Sequence, residues 1–143
     1  MTMTDLQAAR EKTVRDHMEL ENQLDWDAVI ATFQHPRYEL YGVGTVFDGE
    51  ADVRKYFAQS RATFPDQRNE IISLGSGGDC VFVEFWLMGT HLGESRGPDG
   101  PVAPTGKAFR VRMSAVFEFA TDSDKIVCER PYFDPRAIQL QLA

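Results

Sequence analysis

The chain has 143 residues, 43% hydrophobic and 26% charged, with a net charge of −7 from 22 acidic against 15 basic residues. A length of this order gives one domain able to bury a core without staples. The acidic balance, with no cluster of Lys and Arg, argues against nucleic acid or an anionic membrane surface as a partner. MTMTDLQAAREK lacks the basic-then-apolar order of a signal peptide, and no apolar run approaches the roughly 20 residues of a membrane span. Cys80 and Cys128 are lone cysteines in apolar runs without metal-ligand spacing. The expectation is a cytoplasmic protein with two buried thiols, no metal and no cofactor.

Taken in chain order, residues 4 to about 24 read as a helix. Thr4 and Asp5 are candidate caps, and Val14, Met18, Leu20 and Leu24 form its apolar face. LDWDAVIATF restarts the helix behind Asp25, with Trp26, Val29, Ile30 and Phe33 as the buried stripe, and His35-Pro36 stops it. RYELYGVGTVFDG, broken by three glycines, reads as two short strands or a bent strand pair. GEADVRKYFAQSRATF is a third helix, ended by Pro65.

Beyond Pro65 the period changes from helical to alternating. QRNEIISL is a strand, GSGGD a turn, and CVFVEFWLMGTHL a long strand that is apolar on both faces. The Gly- and Pro-rich 93–106 connection is long for a hairpin and suggests a flap or a rim. In KAFRVRMSAVFEFA the odd positions from Phe109 to Phe119 are all apolar, while Arg110, Arg112, Ser114 and Glu118 occupy the other face. KIVCERPYF is the last strand, and PRAIQLQL closes as a short helix. Helices first and consecutive antiparallel strands second mean an α+β domain, its helices on one side of a curved sheet. No internal repeat or linker divides residues 1–143.

Such a sheet encloses space on its helix-covered face. Trp26, Phe33, Phe57, Phe82, Trp86, Met88 and Tyr132 are the candidates to line a ligand cavity there, although each alone reads better as core. Asp134 has two readings. Followed by Pro135, it is a standard helix N-cap; facing an apolar pocket, it would have a raised pKa and serve proton transfer. His91 shares a strand face with Val81, Val83, Phe85 and Leu87, and could divide acid and base roles with Asp134. His17 and His35 fall on a helix face and in a turn, where solvent exposure is expected. No GxSxG elbow, P-loop or GxGxxG is present.

The order of FDGEADVRKYF, ATFPDQ, VFVEFWLMGTHLGE, APTGK, KIVCERPYFD and the terminal QLQLA resembles the SnoaL-like polyketide cyclase family of the NTF2-like superfamily. The resemblance runs from about residue 10 to the end. GTHLGE, PTGK and the YFD before QLQL are its most specific pieces. It implies a cone-shaped α+β barrel with a pocket for a small apolar, polycyclic type of molecule, and a homodimer through the outer sheet face. It also implies cofactor-free acid/base catalysis of an aldol-type cyclisation or isomerisation, with Asp134 as the acid/base and His91 in the same pocket. GESRGPDGPVAPTG is longer than the family's usual turn, which alters the expected rim. Two other activities are open to this fold: a non-catalytic ligand-binding or adaptor module, and an epoxide hydrolase of the limonene type. The latter needs an Asp pair bridged by Arg, and residues 106–121 offer no Asp to pair with Asp134.

Overall fold

The computed structural model describes residues 2–97 and 99–143. Its elements are α1 (Met3–Asn22), α2 (Trp26–Ala31), β1 (Arg37–Leu40), β2 (Thr45–Asp48), α3 (Glu50–Thr63), β3 (Arg68–Gly77), β4 (Cys80–Thr90), β5 (Ser95–Gly97), β6 (Gly100–Val102), β7 (Ala108–Phe119), β8 (Ile126–Tyr132) and α4 (Pro135–Leu142). The main sheet has six strands in the order β2-β1-β8-β7-β4-β3. It stays open and is mixed: β1 and β8 run parallel at Tyr38 and Glu129, where consecutive antiparallel strands had been expected. The return of the chain through α3 and the β3-β4-β7 meander brings β8 alongside β1, and that connection is long enough to allow a parallel pair.

Helix starts follow local chemistry. Thr2 caps α1 in a reciprocal capping box with Asp5, two residues earlier than the sequence suggested. Asp25 caps α2 by accepting from the Ala28 N–H, as its position implied. The alternation of β7 is realised in full: its odd residues are buried, while Arg110, Arg112 and Ser114 face outward. These odd residues join Val81, Val83 and Phe85 of β4 and Val14, Met18, Val29, Ile30, Phe33, Val53 and Phe57 of the helices in one core. The helices therefore cover a single face of the sheet.

Arg10 fixes α1 on that face. It is buried, and its guanidinium donates to the carbonyls of Gly78, Ala120 and Ser123 and to Asp79, gathering the β3–β4 and β7–β8 turns under one helix. The 93–106 connection folds back as a small β5–β6 hairpin, within which Pro98 lies outside the described residues. Gly93 allows its close approach, since a Cβ there would stand 1.8 Å from the Ala62 carbonyl oxygen. At the other end, Gln141 of α4 exchanges two hydrogen bonds with the backbone of Arg110, so its amide acts as a strand neighbour where β8 has ended. Cys80 and Cys128 both lie opposite Glu118 from its two flanking strands. They are two strand spacings apart, roughly 10 Å, which is too far for a disulfide.

Candidate functional site

The buried stripe of α1 carries charge as well as hydrocarbon. Arg10, Val14, His17 and Met18 are all buried, and Glu21 follows one turn after His17. His17 is fully buried, contrary to the exposure expected of it. The helix dips at this point into the hollow of the sheet, where the rings of Phe33 and Phe117 meet the imidazole edge-on.

The contacts of His17 define its protonation. The Thr32 hydroxyl donates to the Val29 carbonyl at 2.6 Å, so at 2.8 Å from His17 Nδ1 it can only accept. Nδ1 therefore carries a proton. Nε2 faces two carboxylates, Glu129 Oε1 at 2.9 Å and Glu21 Oε1 at 3.0 Å, with the Tyr38 hydroxyl at 3.3 Å. Burial works against charge on the ring, but the two carboxylates outweigh it and raise the His17 pKa to about 10. The ring is thus an imidazolium with both N–H groups satisfied.

Glu129 sits in mid-strand on β8, directly across from Phe117 on β7 and Tyr38 on β1, and so points into the hollow. Burial and the negative charge of Glu21 raise its pKa to about 7, while the His17 hydrogen bond pulls the other way. Burial, followed by the nearby Glu129 charge, raises the Tyr56 hydroxyl too, keeping it a proton donor at neutral pH. Arg61 stacks over Trp26 at 4.9 Å, holds Ser60 Oγ at 2.8 Å and lies 3.9 Å from Glu21. Trp26 in turn stacks on Phe57.

A cavity of about 50 Å³ opens at this cluster. Its polar lining is Glu21, Tyr56, Arg61 and Glu129 with Gln67, Arg68 and Asn69, and Met18, Phe85, Leu87 and Met113 supply apolar wall. The volume is small beside the roughly 300–1,000 Å³ of pockets that swallow a drug-sized ligand. At this cluster the pocket is compact and largely polar. His17, Glu21 and Glu129 also place three ligand atoms within 4.8 Å of one another. That set escaped a search for linear metal-ligand spacing because one member comes from a strand 108 residues away from its nearest helical partner in sequence. The three groups are held together by the approach of His17 Nε2 to both carboxylates.

The residues singled out from sequence are distributed differently. Phe33 and Phe57 are buried beside this cluster, and half-buried Trp26 supports Arg61. Phe82, Trp86 and Met88 lie on the opposite, outer face, because β4 alternates and its inward positions are Val81, Val83 and Phe85. Phe82 is 48% exposed, and Trp86 packs beneath Arg110 and Arg112. Tyr132 is exposed and stacks on Tyr41. Asp134 is exposed as the N-cap of α4 and accepts from the Arg136 N–H at 2.9 Å, so it does not face an apolar pocket. His91 is buried but elsewhere: its Nδ1 accepts from the Thr105 backbone N–H at 3.2 Å, which leaves Nε2 protonated and donating to Ser95 Oγ at 3.1 Å. A ring held in that tautomer secures the loop and has no lone pair to offer as a base. It borders a separate cavity of about 210 Å³ with Ser95, Arg96, Val102, Thr105, Gln139 and Leu142.

His17, Glu21, Tyr38, Tyr56, Arg61 and Glu129 were not singled out from sequence. The available signals were the i,i+4 spacing of His17 and Glu21 on the apolar face of α1, and a glutamate on the inward phase of the last strand.

Similarity to solved structures agrees with this architecture. A SnoaL-like polyketide cyclase assignment is carried by a protein from Jannaschia sp. CCS1, which superposes with a TM-score of 0.85 at 18% identity over 99% of this chain and 96% of that one. IdmH from Streptomyces antibioticus, assigned as a polyketide cyclase, gives 0.77 at 22% identity over 93% and 97%. A protein from Catenulispora acidiphila DSM 44928 with a ketosteroid isomerase-like fold, solved with trimethylamine, gives 0.74 at 17% over 90% and 90%. At these identities the likeness establishes the fold. No curated protein matches the chain. The profile of the SnoaL-like domain matches residues 14–129, and the chain belongs to that family.

Proposed function

We propose that this protein is a cofactor-free enzyme that moves a proton on a small molecule, with Glu129 as the general acid/base. The observation that carries the reading is a buried carboxylate with a pKa of about 7, lining a cavity and backed by an imidazolium that cannot leave. A carboxylate of this kind takes a proton from an activated C–H and returns it at another atom, which is the step shared by isomerisation and aldol-type closure. His17 holds the Glu129 oxygen in place, and Tyr38 and Tyr56 are donors beside it. The size of the cavity favours a small substrate, or the reacting end of a larger one that extends past Gln67 and Arg68. Asp134, the base implied by family resemblance, serves here as the control residue.

The test is α-deuterium exchange into carbonyl compounds in D₂O, followed by proton NMR. Glu129→Gln should abolish exchange and Asp134→Asn should leave it intact; the reverse pattern would transfer the base role to the helix cap. We also propose a homodimer through the outer sheet face, where Phe82 and Ile72 are exposed. Light scattering would report a monomer if that pairing does not form.

A further inference from the structure

The cavity of about 210 Å³ between the β5–β6 hairpin and α4 shares no lining residue with the one at Glu129. A chain of donors runs into it from a buried origin. The Thr105 N–H donates to His91 Nδ1 at 3.2 Å, and His91 Nε2–H donates to Ser95 Oγ at 3.1 Å. His91 is only 1% exposed, so water does not compete for either nitrogen. Ser95 Oγ accepts from the ring, and among the described residues its own proton has no acceptor. The hydroxyl is left to donate into the cavity that Ser95 lines. Arg96 and Gln139 line it too. No salt bridge among the described residues engages the Arg96 guanidinium. Among those residues no Asp or Glu lines the cavity, and Val102 and Leu142 supply apolar wall.

Donors without acceptors select an anion. A guanidinium offers two parallel N–H groups that match a carboxylate, and the Ser95 hydroxyl adds a third donor. The carbonyl groups at the end of α4 oppose negative charge, but Lys107 Nζ donates to the Ala143 carbonyl oxygen and offsets them. The volume holds roughly seven waters at about 30 Å³ each, which is room for a carboxylate with a short hydrocarbon tail. We infer that this cavity binds a small aliphatic monocarboxylate, its oxygens held by Arg96 and Ser95 and its tail laid against Val102 and Leu142. Inorganic phosphate fits less well, because the apolar wall leaves its remaining oxygens without donors. The Leu92 and Gly93 N–H groups already tie the start of the hairpin segment to the Thr63 carbonyl of α3. A carboxylate bound between Arg96 and Leu142 joins the same hairpin to α4. The site lies apart from Glu129 and does not depend on the role proposed for it.

Amide NMR titration with butyrate, n-butanol and inorganic phosphate tests the assignment. Butyrate should shift the amides of Ser95, Arg96, Gln139 and Leu142 and saturate in the millimolar range expected of so small a ligand. Butanol keeps the tail without the charge, and phosphate the charge without the tail; each should bind about tenfold more weakly or worse. Arg96→Gln removes the charge at an exposed position and should weaken butyrate about tenfold or more, the effect of losing a charge-assisted hydrogen bond. Ser95→Ala should weaken it about three- to tenfold. Val102→Asp, also at an exposed position, sets a carboxylate on the apolar wall and should weaken it at least as much as Arg96→Gln. Glu129→Gln should leave the titration unchanged, so this site and the proposed base stand or fall separately. Butanol or phosphate binding as tightly as butyrate would overturn the assignment, as would a titration indifferent to Arg96→Gln. Shifts confined to the Glu21 and Glu129 region, or no saturable shift at all, would do the same.

Discussion

Replacing His17 with phenylalanine removes the cation from between Glu21 and Glu129 and keeps a ring of similar volume between Phe33 and Phe117. Two charge-assisted hydrogen bonds, at 2.9 and 3.0 Å, are lost, each worth about 1.5–3 kcal/mol. Two partly buried carboxylates are left facing each other, and breaking a buried pair in this way costs about 3–5 kcal/mol. The new aromatic edge contacts return about 1 kcal/mol. The expected net loss is about 3 kcal/mol at pH 8, or a fall in Tm of about 10 °C for a chain of this size. Lowering the pH lets Glu129 take up a proton and relieves the repulsion, so the loss should be clearly smaller at pH 5. Urea unfolding of wild type and His17→Phe at the two pH values measures this. A loss below about 1 kcal/mol at pH 8, or the same loss at both pH values, would refute the charge cluster as drawn.

Wild type itself should lose stability as the pH rises through two windows. Glu129 binds its proton more tightly folded than unfolded, so stability falls between about pH 4.5 and 7; the His17 contribution is complete below pH 6.5 and is lost as pH climbs through about 10. Glu129→Gln should erase the lower window, which a pH series of urea midpoints would show. Thr32→Val strands the Nδ1–H of His17 and should cost about 1–3 kcal/mol, with Thr32→Ser close to wild type; nitrogen-15 NMR of His17 would report the altered ring in the valine variant only. Asp134→Ala should cost about 1 kcal/mol as a lost cap while Asp134→Asn costs little, checked by thermal melting. Phe82→Glu on the outer face should leave the monomer fold intact and, if that face pairs two copies, give a monomer by light scattering.

Element types were legible in the chain because they depend on neighbours a few residues apart. The alternation in β7, the caps at Asp25 and Asp134, and the stop at Pro65 are local facts, and each appears in the structure where the pattern put it. The resemblance spread over GTHLGE, PTGK and YFD was likewise enough for the family, since those pieces shape turns and close packing: His91 clamps Thr105, and Gly93 lets the loop meet α3. What sequence could not supply was which polar residues meet. His17 and Glu129 are 112 positions apart and touch because β8 returns beside β1 beneath α1. The phase of β4 was equally hidden: a strand apolar on both faces gives no sign of which one is core, and only the helices packed on it send Phe82 and Trp86 outward. Burial then determines the chemistry. A histidine on a helix and a glutamate on a strand are ordinary surface groups until the tertiary fold removes water from both and sets them 2.9 Å apart.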